Sequence, residues 1–279
     1  LKVKEVIFLK IYLEVTNTKN CHSNKVHIFI NMANNQKNIL KSFQVNDELN
    51  SQIWFWDGNT YKMKPEIRDS LLTIVEDFSN FVDVDMDIED ITLTGSLSNF
   101  NWSDFSDVDL HLLLDFGGDK ESLLKKYLDS RRIIWNSLRD IEVKGFEVEI
   151  YVQDIDEPHF ASGVYSVMFD EWIVEPELEE VVLDSHKILS KSKQWMDTID
   201  HIEDNVERAE EESLLTAIDE IKKKLKKYRG AGLKDKGEYS YENLAFKFLR
   251  RNGYLGKLND IKNKLIDKSL TLETSVSDT

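Results

Sequence analysis

Two aspartates lie two residues apart in Asp107-Val108-Asp109, and Gly95-Ser96 precedes them across the ten-residue spacer Leu97–Ser106. On a strand, a period of two puts Asp107, Asp109 and His111 on one face. Carboxylates that close repel one another unless a cation sits between them. Hard divalent ions such as Mg²⁺ favour such oxygen ligands and leave positions for water and phosphate. A Gly-Ser turn lets backbone N–H groups and a hydroxyl approach phosphate oxygens closely. A later acid, Glu147 or Glu149, would complete a two-metal site for in-line displacement at phosphorus. Both glutamates are flanked by apolar residues and share a strand face, so spacing alone leaves the choice open.

The elements that must position these residues follow from hydrophobic periodicity. Residues 33–65 are polar and Asn-rich, with a Trp54-Phe55-Trp56 cluster ending in an Asp57-Gly58 turn. Pro65 suits the first turn of a helix, and Ile67, Leu71, Ile74, Val75 and Phe78 recur at helical spacing through Phe81. Ile91–Thr94 reads as a strand running into Gly95, and Asp107–Leu114 as a second. A helix over Leu123–Leu138 with an apolar set that includes Leu123, Tyr127, Ile134 and Leu138, a third strand over Phe146–Val152, and a hairpin of Gly163–Met168 with Glu171–Val174 complete an α/β half. Beyond Pro176 the pattern is helical: Leu178–Ile202, Asn205–Tyr228 with a stop at Gly230, Tyr241–Arg251, and Leu258–Lys268. The expected organisation is an N-terminal extension over 1–60, an α/β domain over 61–176, a helical domain over 177–268 and a flexible tail over 269–279.

Composition bounds the function. The 279 residues hold 36 Lys and Arg against 52 Asp and Glu, a net charge of −16. That disfavours broad nucleic-acid binding, because phosphate contacts need cations. The average hides a basic stretch: Lys222–Lys268 holds 15 Lys or Arg against 5 Asp or Glu. Its densest part, KKKLKKYR over Lys222–Arg229, reads either as a solvated helix face or as a patch for RNA or a triphosphate, which Lys247, Arg250 and Arg251 could extend. The single Cys21 fits a reducing, cytoplasmic setting, and no apolar run reaches the length of a membrane span. The opening LKVKEVIFLKIYLEV, broken by Lys10, lacks the form of a signal peptide. Residues 1–31 read either as sequence upstream of a natural start at Met32 or as a strand-turn-strand over Val6–Val15 and Lys25–Ile30.

The run TGSLSNFNWSDFSDVDLHLLL resembles the signature of nucleotidyltransferases of the DNA polymerase β-like superfamily, and the chain from Asn46 onward resembles predicted nucleotidyltransferases of tailed phages. The motif-level resemblance spans about a third of the chain, residues 65–155. It implies an α+β fold, with a mixed β-sheet flanked by helices followed by an all-helical C-terminal domain. It implies a nucleotide-binding, ATP-binding transferase that moves a nucleoside monophosphate from an NTP to an acceptor hydroxyl and releases pyrophosphate. Asp107 and Asp109 would bind two Mg²⁺ or Mn²⁺ ions, and Gly95 and Ser96 would hold the β- and γ-phosphates. Glu149 is the preferred third acid and metal ligand, because Glu149-Ile150-Tyr151-Val152 continues like the family's third-acid strand. The acceptor could be an RNA end, a small molecule, a protein hydroxyl or a second nucleotide. The alternative is a non-catalytic NTP- or metal-binding module, or an interaction module, on the same scaffold.

Other candidates read as structural. Asp104 suits loop solvation, His111 a satisfied strand histidine, and Trp54 and Trp56 packing. His159 and Tyr165 follow the third strand near the hairpin and could approach a nucleotide. His186 and His201 read as helix residues without partners.

Overall fold

A computed structural model describes residues 34–117, 123–157 and 161–271. The strand-turn-strand expectation for residues 1–31, His159 and the tail beyond residue 271 lie outside the described residues. The chain divides into two compact units, Leu1–Lys41 and Ser42–Thr279. In the first, residues 34–41 are helical. The second is an α+β unit with a mixed sheet and a C-terminal helical region.

A short hairpin, β1 (Trp54–Trp56) and β2 (Tyr61–Met63), turns at Asp57-Gly58. Helix α1 (Pro65–Val82) starts at a proline, whose missing N–H costs nothing at that position, and ends at Asp83 in the left-handed region. Of its expected apolar positions Ile67, Leu71, Ile74, Val75 and Phe78 are buried, and Leu72 and Phe81 are partly buried against the same core. Strands β3 (Ile88–Thr94) and β4 (Val108–Leu114) pair antiparallel. Helix α2 (Leu123–Leu138) then crosses over, and β5 (Glu142–Val143) turns through Lys144-Gly145, both at positive φ as a tight hairpin requires, into β6 (Phe146–Asp154). β6 lies parallel to β4. β7 (Val164–Ser166) and β8 (Glu171–Val174) form the expected hairpin on the other side of β3. The sheet order is β5-β6-β4-β3-β7-β8.

Two packed clusters stabilise the unit. The first joins the sheet to α1 and α2, and it includes Leu49, Ile53 and Trp54. These three belong to the sequence expected as an N-terminal extension. In α2 the burial differs from expectation. Of the expected apolar set Leu128 is buried, whereas Leu123, Leu124, Ile133, Ile134 and Leu138 are exposed, and Trp135, outside that set, is fully buried. The reason is local: Trp135 packs edge-on against Phe78 at 5.8 Å and donates its indole N–H to Asp77 at 2.9 Å, which fixes the helix rotation.

The second cluster is formed by α3 (Ser185–Asn205), α4 (Glu211–Lys236), α5 (Tyr241–Arg251) and α6 (Tyr254–Leu270). Three boundaries correct the periodicity reading. Residues 175–184 are irregular, and α3 begins where Asp184 accepts hydrogen bonds from the N–H groups of His186 and Lys187. The second helix begins at Glu211 rather than Asn205, and it continues through Gly230 to stop at Gly237, which has φ 64°. The last helix begins at Tyr254, with Gly253 left-handed before it and Gly256 inside it.

Gly230 and Gly232 differ in what surrounds them. A Cβ on Gly230 would meet nothing within 4 Å, whereas one on Gly232 would lie 2.5 Å from Glu242 Cβ and 2.7 Å from Ser240 Oγ. Gly232 is thus where α4 passes closest to the start of α5. Gly230→Ala is expected to stabilise the protein by up to about 1 kcal/mol, by removing a helix-interior glycine. Gly232→Ala is expected to destabilise it by roughly 1–3 kcal/mol through overpacking. Urea unfolding of the two variants checks the contrast.

Candidate functional site

Strand register assembles the acids. Asp109 stands opposite Thr94 on one neighbour and Glu149 on the other, and Asp107 is the residue just before β4. As a result one ligand oxygen from each of Asp107, Asp109 and Glu149 lies within 4.8 Å of the others, so the three side chains could hold a metal ion. All three are partly buried. Glu147 sits one pleat away, exposed and opposite Glu142 on β5, and is not part of this group. Register therefore distinguishes two glutamates that the sequence pattern treats alike.

The approach to Asp109 is tight. Gly95 has φ 77°, a region that favours glycine, and a Cβ there would lie 1.9 Å from Asp109 Oδ2. Gly95 is therefore required twice, once by its backbone and once by the carboxylate against it. The residues after it form a short 3₁₀ turn, Ser96–Ser98. Ser96 Oγ lies 2.8 Å from Ser106 Oγ, and Ser106 Oγ accepts from the Ser103 N–H at 2.9 Å. The spacer is thus folded back on itself and ties the Gly-Ser turn to the residue preceding Asp107. Trp54 helps hold it: its indole N–H donates to the Leu97 carbonyl at 2.7 Å while its ring stacks on Trp172 at 4.6 Å. The tryptophan cluster is packing around Trp54, while Trp56 is exposed. Tyr165 is fully buried and bonded to Asp170. Asp104 is exposed in the spacer.

Burial, then the charges of Asp107 and Glu149, push the Asp109 carboxyl up to about 7, and Arg250 and Lys247 pull it back. The cations come from α5. Arg250 reaches to 3.8 Å from Asp107 Oδ2. Burial lowers Lys247, as do neighbouring Arg251, Arg250 and Arg229, while Glu238 opposes the shift. Arg229 on α4 is also lowered by burial and by Arg250, and the Asp109 charge acts the other way. Arg251 donates to Ser42 at 2.6 Å and Ser103 at 3.4 Å, and the Asp107 charge also acts on it. Thus part of the basic stretch expected from composition faces the acids, and Lys222, Lys223, Lys226 and Lys227 are exposed on α4.

Two supports had no signal in the motif. Tyr151 donates its hydroxyl to Glu149 Oε2, lies stacked on His111 at 4.9 Å and sits beneath Arg132 at 5.1 Å. His111 Nδ1 is 2.7 Å from Gln153 Oε1, so this histidine has a partner within the sheet. The period of two does place Tyr151 on the Glu149 face, so a search of that face would have found it. Glu238, before α5, accepts from Asn99 at 2.8 Å and also from Asn101 and Ser162. It binds the loop after the Gly-Ser turn to the helical region.

The donor set is all carboxylate, and its central member is destabilised as an anion by burial and by the other two, so a metal ion could be held there. Among the described residues no helix is long and apolar enough to cross a membrane. No protein-family model matches the chain, and no curated protein or solved structure matches it either.

Two outcomes are expected. An Asp titrates near 3.9 when unfolded but near 7 here. A raised carboxyl stabilises the fold fully below about pH 4, and that contribution is lost as pH rises through about 7. In chelator, Asp109→Asn should therefore gain roughly 1–3 kcal/mol over the parent at pH 8 and little at pH 4. Urea unfolding at the two pH values measures it. Tyr151→Phe removes the hydroxyl that orients Glu149 and should weaken Mn²⁺ binding about tenfold, read by titration calorimetry, with the circular dichroism spectrum unchanged.

Proposed function

We propose that the chain is a Mg²⁺-dependent nucleotidyltransferase that moves a nucleoside monophosphate from an NTP to an acceptor hydroxyl. The observation that carries this reading is the grouping of Asp107, Asp109 and Glu149 directly against a Gly95-Ser96 turn, with Arg250, Lys247 and Arg229 near the acids. Acids alone would suit many cations. Acids beside a phosphate-type turn and near basic side chains suit a substrate that brings both metal and phosphate.

Asp107 and Asp109 would hold two divalent ions, with Glu149 as ligand to the one on the acceptor side. When bound, such ions neutralise phosphate charge and lower the pKa of a coordinated hydroxyl. The backbone around Gly95 and the Ser96 hydroxyl would bind the β- and γ-phosphates. Arg250 would offset the charge that builds on the leaving group. The acceptor oxygen forms a bond to the α-phosphorus as the bond from that phosphorus to the α–β bridging oxygen breaks. Pyrophosphate departs with the electron pair, and Glu149 or solvent takes the hydroxyl proton. Most of the rate gain in such a site comes from positioning and charge neutralisation.

The test is a screen of each α-labelled NTP with Mg²⁺ against cellular RNA, protein and small-molecule acceptors. Label should transfer to one acceptor class, and Asp107→Asn with Asp109→Asn should lower transfer by at least about a thousandfold, the scale of a lost charge-stabilising group. Unchanged transfer in the double variant, or no NTP bound or consumed, would overturn the assignment.

A further inference from the structure

The acceptor is left open by the carboxylate site, and a second feature of the helical region bears on it. Lys222, Lys226 and Arg229 fall at i, i+4 and i+7 on α4, which places them on one stripe of the helix. Lys222 and Lys226 are exposed and have no ion-pair partner among the described residues. Lys223 and Lys227 flank them, also exposed. At the far end the stripe turns inward. Arg229 is partly buried, lies over the Phe246 ring at 4.8 Å, donates to Asn243 at 3.1 Å and feels the Asp109 charge. The open row of lysines thus leads to α5, whose Arg250 reaches Asp107.

The rest of the surface makes this row stand out. The chain as a whole is at −16, so a polyanion is repelled except where cations cluster. From Lys222 to Arg229 the stripe runs about 10 Å at 1.5 Å per residue, and the long side chains of its three cations extend its reach along a strand laid beside the helix. It also lacks the apolar anchors of a helix that lies on a membrane. The one aromatic residue of α4, Tyr228, is turned against Trp195 at 5.7 Å. A row of exposed cations matches the repeating charge of a phosphodiester backbone better than the part-apolar surface of a protein partner.

We infer that the Lys222–Lys226–Arg229 stripe binds the phosphodiester backbone of a single-stranded nucleic acid and leads its end to Glu149. This rests on the nucleotidyl-transfer reading for what happens at that end, but the binding itself needs neither NTP nor metal.

The experiment uses the full chain, a short 5′-labelled single-stranded RNA, its DNA counterpart, and fluorescence anisotropy over a range of KCl concentrations in chelator. Three backbone contacts predict a slope of about −2 for log affinity against log salt, at about −0.7 per contact on a single strand. Lys222→Glu with Lys226→Glu should lower affinity at least about tenfold and bring the slope toward about −0.7. Lys264→Glu, on α6, should change neither. Preference for RNA over DNA, or equal binding of both, each agrees with backbone recognition and separates a ribose contact from a pure phosphate contact. Asp107→Asn with Asp109→Asn should still bind the strand. Loss of transfer with retained binding separates failure of the chemistry from failure of the track. Parent-like binding by the Lys222/Lys226 variant overturns the inference. So does binding of phosphatidylserine vesicles or a polyglutamate peptide with no binding of either oligonucleotide.

Discussion

The constraint on which this fold turns is mutual repulsion. Strand pairing sets Asp109 beside Glu149 and Asp107 just before it, in a partly buried position where negative charge is costly. The sheet cannot relieve that cost without losing register, since a shift of one residue would send Asp109 to the packed face and Val108 or Leu110 out of it. Relief comes from elsewhere in the chain. It comes as cations from α5, and it would come more completely from bound metal. The helical region is therefore more than an appended bundle. Arg250 reaches the acids, and Glu238 fastens the same region to the loop that follows the Gly-Ser turn.

The opposing shifts of Asp109 and Lys247 express the same fact. The acid is raised and the amine lowered, both mainly by burial. Each charged form is disfavoured where it sits, and each gains from a ligand of the other sign. A metal-bound polyphosphate supplies both signs in one molecule. On the proposed reading the acids and the cations would serve one ligand.

The elements nearest the chemistry were legible because their periodicity is simple. Val108, Leu110 and Leu112 are buried on β4 and the acids alternate with them, as a half-buried strand demands. Pro65 marked the start of α1, and Tyr241 and Arg251 bound α5 as expected. The misreadings have physical causes. Leu178 and Val182 look helical by type, but they are exposed in an irregular segment, because the helix start is decided by the Asp184 cap. Gly230 resembled a stop, yet a solvent-facing glycine costs a long helix only about 1 kcal/mol, and the packing around it prevails. In α2, Trp135 outweighed Leu123, Ile134 and Leu138 in choosing the buried face. Glu238 was missed because its role depends on Asn99, Asn101 and Ser162, far away in sequence, and local spacing holds no trace of those, whereas Tyr151 was legible two residues from Glu149 on the same strand face.

The parallel pairing of β4 with β6 has one more implication, which concerns how the chain acquires its site. Asp109 and Glu149 come from strands that cannot be joined by a tight turn, so they meet only when the chain through α2 has closed back on itself. Long-range pairing of this kind forms slowly and only after the intervening loop is closed. A partly folded chain therefore has scattered carboxylates and no common pocket for an ion. Tight cation uptake would begin with completion of the native sheet, and it would serve as a clock for the final folding step.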